Sequence, residues 1–128
     1  MSTIYIVPIE PIDQRYTKQW YDNIPVILQS EIDRLALDYK VVTIDGVAIP
    51  PSTTAGAFLD FGATNVYKAS QTEAVSRLFS EGKIKAGDKF LVTDAWNFII
   101  TPIKYMSDLL DIPVEIHGIW HAGAYDPS

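Results

Sequence analysis

The residues best suited to chemistry lie close behind short apolar runs. In the closing stretch IHGIWHAGAYDP, residues 116–127, His121 stands two residues before Gly123. Neutral imidazole titrates near pH 7, which suits a general acid or base, and the small residues after it let a substrate approach the backbone. A partly buried structural histidine fits the same position. His117 lies four residues earlier and faces the same side as His121 only if extended chain continues. With no third ligand evident, no metal site is expected. Asp94, directly after the run KFLVT, can accept a hydrogen bond from a ribose hydroxyl, a sugar hydroxyl or the His121 imidazole. It fits the cap of a following helical segment equally well. His121 and Asp94 are the candidate catalytic pair.

The candidate substrate-binding residues are Glu10, Arg15, Asn65, Tyr67, Lys68, Trp96, Asn97, Gly123 and Tyr125. Trp96 and Trp120 can serve as platforms for a sugar or base, or as core aromatics. Asn65, Tyr67 and Lys68 stand before a helix start read at Ser70, where unpaired N–H groups favour a phosphate or carboxylate. Lys68 adds positive charge there, or is simply a solvated loop lysine. Neither G-x-G-x-x-G nor G-x-x-x-x-G-K-[ST] occurs, and no G-x-S-x-G elbow is found. The usual dinucleotide, P-loop and α/β-hydrolase readings are therefore unsupported.

The elements that must position these residues follow from spacing. Thr3 to Ile9 is an apolar, β-favouring run and predicts a buried strand. Between Asp13 and Leu37, residues Tyr16, Trp20, Ile24, Ile27 or Leu28, Ile32 and Leu35 recur at helical spacing. Pro25 predicts a break near Asn23, with a second helix starting at the proline. Tyr39 to Ile44 predicts a strand closed by Asp45-Gly46. Residues 47–69 read as a long ordered loop with Ala57 to Phe61 as a short strand, and a loop of that length is either functional or a missed element. Ser70-Gln71-Thr72-Glu73 forms an S-x-x-E capping box, followed by Ala74, Val75, Leu78 and Phe79 on one face and Gly82 as a stop. Lys89 to Thr93 predicts a third strand, Thr101-Pro102 opens a helix that Pro113 ends, and Val114 to Trp120 predicts a fourth strand.

Alternating strands and helices place the chain in the α/β class. The expected fold is a single Rossmann-like three-layer α/β/α sandwich over residues 1–128, with a mostly parallel sheet of about four or five strands. In such a sheet ligands bind beyond the carboxyl ends of the strands. Glu10, Arg15, Asp45, Gly46, Asp94, Trp96, Asn97, His121, Gly123 and Tyr125 all follow predicted strands, so this topology would gather them along one rim.

The composition agrees with one folded domain: 128 residues, 48% apolar and 20% charged. Sixteen acidic against ten basic side chains give a net charge of −6, which disfavours nonspecific binding to nucleic acid or an anionic membrane. Lys83, Lys85 and Lys89, beside Glu81 and Asp88, read as a solvated turn. The absence of cysteine rules out disulfides, iron–sulfur clusters, thiolate zinc sites and a cysteine nucleophile, and fits a reducing compartment. The first ten residues lack signal-peptide features, and no window approaches about 18 apolar residues. A cytoplasmic protein is expected. The final residues, DPS, read as a loop in mid-course.

The pieces VPIEP (7–11), NVYKASQ (65–71), VTDAW (92–96) and IHGIWHAGAYDP, in this element order, resemble the N-terminal half of phage-type glycosyltransferase-like proteins of the two-Rossmann-domain (GT-B) architecture. The resemblance spans nearly the whole chain and includes no diagnostic catalytic motif. It implies the acceptor side of a cleft, faced by His121 and Asp94-Ala95-Trp96, with the nucleotide-sugar donor held mainly by a second, C-terminal domain. The sequence carries one such domain. It would then be inactive alone and completed by a C-terminal domain or a partner chain, in the host-cell cytoplasm if phage-encoded. Nucleotide sugar and sugar acceptor are the implied ligands, with no cofactor. Two other readings stand beside it: a binding module for a nucleotide or sugar without catalysis, and an assembly module forming homo-oligomers through exposed apolar surface.

Overall fold

Apolar β-favouring runs become the strands. In a computed structural model describing residues 2–11, 16–47, 61–95 and 97–119, the elements are β1 (Ser2–Val7), α1 (Tyr16–Arg34), β2 (Tyr39–Thr43), α2 (Phe61–Ser80), β3 (Lys89–Val92), α3 (Ile100–Leu110) and β4 (Glu115–Gly118). The strands form one sheet in the order β2-β1-β3-β4. All three pairings are parallel, with Ile4 beside Val41, Val7 beside Val92 and Leu91 beside His117. The expected α/β fold with a parallel, Rossmann-like sheet is present. The chain leaves β1 toward one side of the sheet and returns to β3 on the other, which makes the β1–β3 junction the topological switch point.

The two faces of the sheet are packed unequally. Tyr5, Val7, Phe90 and Val92 form one face with Val75 and Phe79 of α2 and Ile103 of α3, all buried. The Tyr5 and Phe90 rings stack at 5.2 Å between centroids, and Phe79 stacks on Phe90 at 6.4 Å. Side chains alternate along a strand, so Ile6, Val41 and Thr43 lie on the opposite face, which carries α1. There Ile32 is buried, alone among the α1 side chains described, while Trp20, Ile24 and Leu28 are half-buried. Of the predicted apolar stripe, Ile27 and Leu35 turn outward.

The predicted break at Pro25 is absent: α1 runs unbroken through it. An interior proline removes one backbone hydrogen bond and costs about 3 kcal/mol in an isolated helix. Trp20 and Ile24 before it and Leu28 and Ile32 after it lie along one side of the helix, so docking on the sheet holds both halves in line.

Helix α2 begins at Phe61, well before the predicted start. Ser70 is therefore not a cap. Its hydroxyl donates to the Tyr67 carbonyl at 2.6 Å and accepts from the Val47 amide at 2.7 Å, tying the chain after β2 to the middle of the helix. Residues 61–69, read as loop, are helical, and Phe61 is the first residue of α2 instead of the end of a short strand. Residues 57–60 of that expected strand lie outside the described residues. The stop at Gly82 is as expected: it adopts φ +70, and Lys83 N–H reaches back to the Leu78 carbonyl at 3.0 Å.

Candidate functional site at the carboxyl rim of the sheet

Gln71 marks the level at which α2 passes the ends of the strands. Its Nε2 donates to the Pro8 carbonyl at 2.9 Å, just after β1, and to the Ile44 carbonyl at 3.2 Å, just after β2. Its Oε1 accepts from Asn97 Nδ2 at 2.9 Å, and Asn97 Oδ1 accepts the Ile99 amide at 3.0 Å. Both side chains are buried. A buried amide with every group paired rigidifies what it touches, and here it fastens the ends of β1 and β2 to the turn after β3. The switch point is closed further by Ile9 N–H donating to Thr93 Oγ1 at 2.8 Å and Thr93 N–H to the Val7 carbonyl at 3.0 Å.

The ten residues of α2 before Gln71, at 1.5 Å per residue, stand about 15 Å above this level as a wall over the rim. Thr64, Lys68 and Gln71 are spaced i, i+4 and i+7, so they share the inner side of that wall. Lys68 Nζ lies 3.5 Å from the Asp94 carboxylate, with the two side chains only 12% and 7% exposed. One turn higher, the Thr64 hydroxyl is buried and has no hydrogen-bond partner among the described residues. A buried hydroxyl usually has a partner. The inner side of the wall thus carries a hydroxyl and an ammonium facing a carboxylate, above the fully paired Gln71 carboxamide.

Beside this stripe, the loop after β2 is held from both sides. Tyr67 is buried, and its ring packs so closely on Gly46 that a Cβ there would sit 2.7 Å from Cδ2. Only glycine fits. Burial is the main cause that pushes the Tyr67 hydroxyl well above its ordinary pKa, with Asp45, Tyr21 and Glu10 adding to it. The Tyr21 hydroxyl of α1 donates to Asp45, and that bond is the chief reason its pKa is pushed up to about 12. Both phenols are therefore neutral donors at ordinary pH.

Of the residues singled out by sequence, the structure brings Asp94, Lys68, Tyr67, Asn97 and Glu10 to this rim. Lys68 is a nearly buried ion-pair partner, not a solvated loop lysine. Because Asn65, Tyr67 and Lys68 lie inside α2, the anion site expected at a helix start beside them does not exist in that form. Asn65 is exposed. Asn97 serves the Gln71 network. Arg15, Trp96, Trp120, His121, Gly123 and Tyr125 lie outside the described residues. His117 is exposed on β4, and among the described residues no three His, Cys, Asp or Glu side chains are grouped as metal ligands. No described helix is long and apolar enough to cross a membrane.

Sequence reasoning missed Gln71 as a site residue because the capping-box reading absorbed it. Tyr67, Gln71, Val75 and Phe79 at steps of four would have placed it on the buried side. The Tyr21–Asp45 contact joins residues 24 apart and leaves no local signal.

Among the described residues the rim carries Glu10, Asp45 and Asp94 against Lys68. Carboxylates accept hydrogen bonds from hydroxyls and repel phosphate. This part of the rim suits a neutral, hydroxyl-bearing ligand. Comparison with family models, curated proteins and solved structures finds no match.

Proposed function

We propose that this chain is the acceptor-side, Rossmann-like domain of a sugar transferase of the two-Rossmann-domain kind, and that it binds a polyhydroxylated acceptor at the rim beside the β1–β3 junction. The observation that carries this reading is the inner side of α2, where a buried Thr64 hydroxyl with no partner among the described residues and Lys68 stand above Gln71, with Asp94 opposite Lys68. Alternating donors and acceptors on a rigid frame match the hydroxyls of a sugar. The segments that resemble glycosyltransferase-like proteins include Asp94, after β3, and Lys68 and Gln71, within α2.

In this reading Asp94 accepts a hydrogen bond from an acceptor hydroxyl and Lys68 donates to a neighbouring one. During transfer the acceptor oxygen bonds to the anomeric carbon of a nucleotide sugar. The bond from that carbon to the phosphate oxygen breaks, and the nucleotide leaves with the electron pair. The hydroxyl proton passes to a base, Asp94 or His121 being the candidates. The donor is held by a second domain, in this chain's continuation or in a partner, because transfer requires both reactants oriented in one cleft.

The same geometry serves a sugar-binding module without catalysis, and one experiment orders the two. Titration calorimetry with monosaccharides, nucleotides and nucleotide sugars is expected to give saccharide binding with a Kd of about 1 mM. Asp94→Asn and Lys68→Met should each weaken it about tenfold. Saccharide-dependent nucleotide release from a nucleotide sugar, absent with this chain alone and present once the donor-holding domain or partner is supplied, then selects transfer over binding alone. No saccharide or nucleotide-sugar binding at about 10 mM, or unchanged binding by both variants, would overturn the proposal.

A further inference from the structure

The hydroxyl side chains of helix α2 are of two kinds. Ser70, Thr72 and Ser76 each donate to a carbonyl of the preceding turn, at 2.6, 3.2 and 2.8 Å, the usual way a helix absorbs a hydroxyl. Thr64 does not. It is 2% exposed, and its Oγ1 is the one buried side-chain oxygen or nitrogen without a hydrogen-bond partner among the described residues. Elsewhere along the rim the buried side chains of Gln71, Asn97 and Thr93 are all paired. A buried hydroxyl without a bond costs its full desolvation, so this one calls for a reason.

Its position supplies one. Thr64 stands one turn above Lys68 on the inner side of the wall. A long side chain in a helix leans over the turn before its own Cα, so the Lys68 stem leans toward Thr64 while the ammonium faces Asp94. A ligand hydroxyl that draws the ammonium aside therefore opens the way to Oγ1. Resting on the acceptor reading above, we propose that Thr64 is the specificity-determining residue of the rim. Its hydroxyl is the reserved partner of one acceptor hydroxyl, and the acceptor is a saccharide that keeps this hydroxyl, not its deoxy counterpart. A protein group that binds a ligand ordinarily gives up a bond to water, which leaves a small net gain. Thr64 Oγ1 is closed off from bulk water, so nearly the whole of the new bond counts toward affinity.

Two substitutions separate this role from a structural one. Thr64→Val keeps the shape and the helix propensity but removes the hydroxyl, whereas Thr64→Ser keeps the hydroxyl. With no saccharide added, the urea midpoint of Thr64→Val should equal or exceed that of the wild type, because a methyl replaces an unpaired polar group. Glucose, galactose and mannose and their monodeoxy derivatives are then titrated into the ¹⁵N-labelled full chain. The wild type and Thr64→Ser should bind the preferred sugar about tenfold more tightly than each derivative lacking a hydroxyl that the rim reads. Thr64→Val should bind that sugar about tenfold more weakly and become indifferent to one deoxy position, while keeping its preference at the others.

A lower urea midpoint for Thr64→Val would show that the hydroxyl is already paired within the fold. Wild-type preferences in Thr64→Val, or equal binding of every deoxy derivative by the wild type, would deny Thr64 any part in selection. Each of these overturns the inference and leaves the acceptor reading standing, whereas no saccharide binding by the wild type overturns both.

Discussion

The two edges of the sheet each bury an aspartate, and the two are held differently. At the amino edge Asp88 accepts backbone amides on both oxygens, from Thr3 at 3.0 Å and Lys85 at 2.9 Å, and its own carbonyl accepts from Glu115 at 3.1 Å. It fastens β1, β3 and β4 together. At the carboxyl edge Asp94 faces Lys68, whose ammonium rides on a four-carbon stem and can be re-aimed. A backbone amide cannot move without moving the fold. One carboxylate is committed to structure, and the other has a partner that can yield to a ligand hydroxyl.

That difference is easiest to break by mutation. Asp88→Ala leaves the buried Thr3 amide and the part-buried Lys85 amide without their acceptor and should lower folding stability by about 3 kcal/mol, read as a shift in the urea midpoint. Gln71→Leu removes three hydrogen bonds at the opposite edge and should cost about 2 kcal/mol. Asp94→Asn should cost about 2 kcal/mol, because it leaves a nearly buried ammonium whose stem can carry only part of its charge to water, while the same change lowers saccharide affinity. Equal losses for Asp88→Ala and Asp94→Asn would erase the contrast between the edges.

The smallest expected effect is a change of slope with pH. The folded state holds the Tyr21 proton more tightly, its pKa being about 12 against an ordinary value of 10.0. This contribution to stability is complete below pH 10 and declines as the pH rises from 10 toward 12. Tyr21→Phe should flatten part of that decline in thermal melts, whereas an unchanged slope would show that the Asp45 bond contributes nothing.

The parallel sheet was legible because its evidence is local. Ile4-Tyr5-Ile6-Val7 and Phe90-Leu91-Val92 are short β-branched or aromatic runs bounded by polar residues, and Gly82 sits where a left-handed residue must end a helix. Both misread points are local signals for a helix boundary that the folded chain overrides: packing against the sheet outweighs Pro25, and the Ser70 hydroxyl is taken up by the Tyr67 carbonyl and the Val47 amide instead of capping. The rim was legible as a list of residues after strands. Its working pairs were not, because Lys68 meets Asp94 and Tyr21 meets Asp45 only once the chain is folded.

The most direct test of the rim as a binding site is a titration of ¹⁵N-labelled protein with the monosaccharides and nucleotide sugars of the calorimetric panel, followed by amide shifts. The account predicts that the amides of Glu10, Lys68, Asp94 and Asn97 move together with one apparent Kd, while those of Thr3, Lys85 and Asp88 stay in place. Shifts centred on the amino edge, or rim amides unmoved at about 10 mM of every ligand, would contradict it.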